Sequence, residues 1–100
     1  MSASDTETFA DVVTTNITII NKLGLHARAA AKLVKLCATF EADIDIEKEG
    51  QRVNCKSIMG VMMLAASCGS EVILTANGDD ADAAVLAITD LFNRRFDEDE

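Results

Sequence analysis

The chain has 100 residues, 49% of them hydrophobic, with nine basic and seventeen acidic side chains and a formal net charge of −8. That length and apolar content suit one domain with its own core and exclude a disordered chain, while no apolar run approaches the ~20 residues that cross a bilayer. The acidic balance argues against a nucleic-acid partner and against docking on an anionic membrane.

The acid is concentrated at the two ends, from Asp5 to Asp11 and again at Asp97-Glu98-Asp99-Glu100. Residues 1–11 read as a flexible acidic leader, too polar for a signal peptide. A domain over 12–96 and an acidic tail over 97–100 follow. Val13, Thr15, Ile17 and Ile19 alternate with Thr14, Asn16 and Thr18, which predicts a half-buried strand. Gly24 breaks it. From Ala27 the period turns helical, because Ala30, Leu33, Val34 and Cys37 share one stripe and Arg28, Lys32 and Lys35 another.

Ala42, Ile44 and Ile46 alternate with Asp43, Asp45 and Glu47 as a second strand. Glu49-Gly50 makes a turn, and Gln51–Asn54 return as a third. Ser57 is the expected N-cap of a short helix over Ile58–Ala66. Glu71–Thr75 form a fourth strand, ending at Asn77-Gly78. Asp79 or Asp80 caps a last helix whose buried face is Ala81, Ala84, Val85, Ile88, Leu91 and Phe92. The order β-α-β-β-α-β-α, with a tight antiparallel turn between strands two and three and one-sided alternation, predicts an α/β (α+β) open two-layer sandwich.

Three cysteines, one histidine and no CxxC pair exclude a usual structural zinc site, and no metal is expected. Buried or half-buried thiols are expected at Cys37, Cys55 and Cys68. Lys56 would lower the Cys55 thiol pKa if that thiol were exposed.

His26 stands where a strand and loop hand over to a helix that lacks a Ser, Thr, Asp or Asn cap. The first helical N–H groups then need another acceptor, either a neutral imidazole nitrogen or an anion. A phosphoryl group on that ring would meet those N–H groups and the positive end of the helix dipole. Arg28 adds a guanidinium for its oxygens, and Gly24 allows close backbone approach. A lone histidine at a helix start is otherwise a capping or surface residue.

Leu23-Gly24-Leu25-His26-Ala27-Arg28 with Ala30 and Ala31 resembles the active-site segment of the histidine-containing phosphocarrier (HPr) family. Lys56-Ser57-Ile58-Met59-Gly60-Val61-Met62-Met63-Leu64 resembles its second signature, around the regulatory serine. The resemblance covers about residues 12–96. It implies a four-stranded antiparallel sheet covered on one face by three helices. It implies that His26 takes the phosphoryl group on Nδ1 and that Arg28 stabilises it. Ser57 matches the position a kinase modifies in some members. Ala27, Ala31, Ile58, Met59 and Met62 match the surface that docks enzyme I and IIA-type acceptors, and Met side chains suit a face that must fit several partners.

The family's usual proline after the arginine is replaced by Ala29. The run His-Ala-Arg-Ala and the closing Leu91-Phe92-Asn93 with Phe96-Asp97-Glu98 look more like the nitrogen-branch members. The resemblance therefore implies a cytoplasmic, monomeric carrier that needs no cofactor and has no turnover of its own. Its donor is fed by phosphoenolpyruvate, and its acceptor belongs to the nitrogen-regulatory branch. The alternatives are the carbon-branch, sugar-uptake carrier and a regulatory binding module switched at His26. A basic island of Arg28, Lys32, Lys35 and Lys56 is expected around His26.

Overall fold

In a computed structural model the structure describes residues 12–100. The expected leader lies outside the described residues. The elements are β1 Val12–Thr18, α1 Ala27–Cys37, β2 Asp43–Lys48, β3 Gln51–Asn54, α2 Ile58–Met63, β4 Glu71–Asn77 and α3 Ala81–Asn93. A short turn over Arg95–Asp97 follows.

The strands form one antiparallel sheet in the order β1-β4-β2-β3. Alternation decides which face is dry. Ile17, Ile44, Ile46, Val72, Leu74 and Ala76 point into the core, and their neighbours along each strand point to solvent. The three helices cover the dry face. All six apolar residues expected on the inner face of α3 are buried there. On α1 the buried residues are Ala29, Ala30, Leu33 and Cys37, with Val34 only half-buried. The stripe is thus rotated toward Ala29.

Two helix starts differ in how they are capped. Ser57 Oγ accepts from Gly60 N at 3.1 Å, as its position predicts. Asp80 stands at the N-cap of α3 but makes no side-chain cap bond. Its carboxylate instead receives the backbone N–H groups of Glu41 and Ala42, at 2.8 and 2.9 Å.

α2 is shorter than the expected Ile58–Ala66. It stops at Met63, and Ala65 adopts a positive φ of 50°. That reversal turns the backbone so that Ala66 O accepts Leu25 N at 2.9 Å, a tertiary bond that a continuing helix would forgo. Gly24 lies beside this bond. Its φ is +66°, and a Cβ there would lie 2.5 Å from Ala66 O, so glycine is needed both for conformation and for space.

Candidate functional site

His26 is the N-cap residue of α1, with extended backbone, and its C=O accepts Ala30 N at 2.8 Å. The imidazole is partly buried, and its two nitrogens have separate partners. Nδ1 accepts from Arg28 N at 3.3 Å. Nε2 lies 2.5 Å from Glu98 Oε2, across 72 residues of sequence. The ring therefore caps its own helix, one of the two acceptors considered for this uncapped start.

The two bonds fix the proton. An Nδ1 that accepts an N–H carries a lone pair, and an Nε2 that faces a carboxylate carries the hydrogen and donates it. The Glu98 carboxylate is also held on its other oxygen. Asn21 Nδ2 donates to Oε1 at 3.1 Å and to Gly24 O at 2.8 Å, and Asn21 is fully buried. Burial pushes the Glu98 carboxyl up, but the hydrogen bonds from His26 and Asn21 outweigh it and hold the pKa below the ordinary value.

The acidic end is thus part of the site, although its composition alone gives no reason to place it there. Arg95, Phe96 and Asp97 have positive φ of 57°, 54° and 62° and reverse the chain after α3. L-residues resist that conformation by ~1–2 kcal/mol each, so the turn must be held. Phe96 is fully buried, edge-on to Phe92 at 4.8 Å between ring centres. Lys32 Nζ donates to Phe96 O at 2.7 Å. Beyond Glu98, Lys22 N donates to Glu100 O at 2.6 Å.

The expected basic island forms only in part: Arg28 lines the cleft at His26, and Lys32 lies close enough to Glu98 to help lower its pKa. Lys32 is engaged by the turn, with Asp97 3.9 Å from its Nζ. Lys56 Nζ donates to Phe40 O at 2.8 Å, beyond the C-terminal end of α1. Lys35 lies along α1 beside Thr39, Leu91 and Arg94. An open cleft of about 740 Å³ at His26 is lined instead by Lys22 and Arg28 against Glu98, Asp99 and Glu100, with Leu23 and Ala27. Lys22 Nζ also meets Glu100 Oε1 at 3.3 Å. Sequence spacing places lysines on a helix face but does not say which of them the tail will recruit. Among the described residues no side chain accepts from the exposed Arg28 guanidinium.

Ala27 and Ala31 are exposed on α1. Ile58, Met59 and Met62 are exposed on α2, Met59 by 70%. The two helices pack together, so both groups sit on one side of the sandwich. Met63 and Leu23, at 66% each, add apolar surface beyond the residues expected there. The signal for Met63 was its place in the same Met-rich run.

The thiols divide differently from the expectation. Cys37 and Cys55 are buried, but Cys68 is exposed. Contact with the Cys37 thiol and then burial push the Cys55 thiol up, so Lys56 does not activate it.

An open-faced antiparallel sheet backed by three helices is the architecture of solved HPr proteins. The crystal structure of HPr-C-His from Thermoanaerobacter tengcongensis matches with a TM-score of 0.85 and 44% identity, over 88% of this chain and 99% of that one. The family model described as "PTS HPr component phosphorylation site" matches residues 13–94, and the chain belongs to this family. Its members carry phosphoryl groups between components of the phosphotransferase system and are not enzymes. The phosphocarrier protein HPr of Cupriavidus necator is 52% identical over 83% of this chain and 93% of its own length. The phosphocarrier protein NPr of Shewanella violacea is 45% identical over 82% and 90%.

Proposed function

We propose that His26 accepts the phosphoryl group on Nδ1 from a phosphohistidine of an enzyme I-type donor and passes it to a histidine of a IIA-type acceptor. The observation that carries this reading is the pair of bonds on the imidazole. They leave the Nδ1 lone pair at the N-terminus of α1, beside N–H groups that have no intrahelical acceptor.

In the transfer the Nδ1 lone pair forms the new N–P bond, and the old N–P bonding pair stays on the donor nitrogen. Nε2 keeps its proton. The Arg28 N–H then turns from Nδ1 to a phosphoryl oxygen, joined by the Ala27 N–H, the helix dipole and the Arg28 guanidinium. The dipole contributes only ~0.3–1 kcal/mol at an exposed site, which stabilises the group without trapping it. Passing it on reverses the same step. Ile58, Met59, Met62, Ala27 and Ala31 form the docking surface, and Ser57 is a modification site only where a matching kinase exists. The carrier works as a cytoplasmic monomer without a cofactor.

The acceptor belongs to the nitrogen-regulatory branch, as His26-Ala27-Arg28-Ala29 and the closing residues of α3 suggest. The carbon branch is the second reading, favoured by the higher identity to the Cupriavidus necator HPr. The test incubates the protein and His26→Ala with phosphoenolpyruvate and the enzyme I of each branch. One acid-labile phosphoryl group, lost in the variant, supports the carrier role, and the faster donor names the branch. No phosphorylation by donors active on a known carrier would sink the proposal.

A further inference from the structure

We propose that Glu98 is a positioning residue for phosphoryl transfer: its carboxylate, seated on His26 Nε2–H and held by Asn21, keeps Nδ1 unprotonated and balances the charge the ring gains as the N–P bond forms. The inference rests on the carrier reading of His26.

The geometry has three independent parts. The first is the 2.5 Å approach of Glu98 Oε2 to Nε2, on the ring edge away from the incoming phosphoryl group. A carboxylate there favours the Nε2–H form, because a bare Nε2 would face it lone pair to lone pair. The second is the support behind the carboxylate. Asn21 is fully buried, and its Nδ2 donates both to Glu98 Oε1 and to Gly24 O in the loop that carries His26. The third is the anchoring of the segment on both sides of Glu98, by buried Phe96 before it and the Lys22 N–H to Glu100 O bond after it.

Attack by Nδ1 turns a neutral imidazole into a cationic phosphoimidazole that still carries Nε2–H. Glu98 is then the counter-ion, and the pair persists until the phosphoryl group leaves with its bond to Nδ1 broken and the electron pair returned to that nitrogen. No proton has to enter or leave the site. Asp99 and Glu100, which also face the cleft, lack this contact with the ring.

The test compares the full chain with Glu98→Ala and Glu98→Gln, using phosphoenolpyruvate and enzyme I as the phosphoryl source. Thermal melting checks that both variants fold. Glu98→Ala should slow phosphorylation by roughly 10–100-fold, the scale seen when a metal-bound imidazole loses the group that orients it from its far nitrogen. Glu98→Gln, which still accepts from Nε2–H but carries no charge, should recover part of the rate. Nitrogen-15 spectra of the unphosphorylated protein should show one ring form in the wild type, with Nδ1 bare, and a mixture in Glu98→Ala. Unchanged rate and spectra in Glu98→Ala would overturn the inference. So would a slower rate with unchanged ring signals, which would assign Glu98 to partner docking. A wild type that takes no phosphoryl group would overturn the carrier reading itself, and this inference with it.

Discussion

Asp80 receives the N–H groups of Glu41 and Ala42 on its two carboxylate oxygens, tying the start of α3 to the entry of β2. The Glu41 bond is the main reason its pKa lies below the ordinary 3.8, with burial opposing and the Ala42 bond assisting. A carboxylate with a depressed folded pKa binds its proton more readily when unfolded. Its contribution is therefore full above the unfolded pKa and is lost as pH falls through the folded one. Asp80→Asn should lower the melting temperature by a few degrees at pH 7. The gap to the wild type should narrow as melting is repeated from pH 5 down to pH 2.

Gly24→Ala should be costly on two counts. The positive φ costs ~1–2 kcal/mol, and the new Cβ would press on Ala66 O, the acceptor of Leu25 N. Urea denaturation should show a loss of more than ~2 kcal/mol in total. Because Leu25 precedes His26, phosphorylation should slow as well.

Ser57→Ala should remove one cap bond and destabilise the chain by ~0.5–2 kcal/mol in urea, without changing the rate at which His26 is phosphorylated. A substantial loss of that rate would mean that the α2 start does more than hold its helix.

Met59→Lys should leave the fold intact, since the side chain is 70% exposed and packs against little. It should raise the KM of enzyme I for the carrier by roughly tenfold, the scale of a single interface anchor. Steady-state kinetics with the carrier as the varied substrate would check this. An unchanged KM would remove Met59 from the docking surface.

The sandwich was legible because its information is periodic. The alternation of Ile44 and Ile46 and the six-residue inner face of α3 each repeat over several turns or pleats, and all are buried where expected. His26 was legible because a helix start without a cap raises the question of what serves instead. Glu98 was not. Its partner lies 72 positions away, and nothing repeats in Asp97-Glu98-Asp99-Glu100 to predict a contact. The reversal that brings it home uses three left-handed residues and no glycine, so no turn signal marks it. The one available clue was Phe96, a lone aromatic between two arginines and an acidic run. The fate of Lys32 followed from the same missing piece.

The turn at Arg95–Asp97 also sets how the site breathes. Its hold on the domain is a single buried ring and a few polar bonds, whereas the sheet is paired along every strand. Segments so unequally secured open separately, and the weaker one exchanges its amide hydrogens at a free energy well below that of global unfolding. Opening of that turn would withdraw Glu98 from Nε2 and leave the imidazole bare on an intact sheet. The strength of the Phe96 anchor therefore sets how long the ring keeps its carboxylate partner.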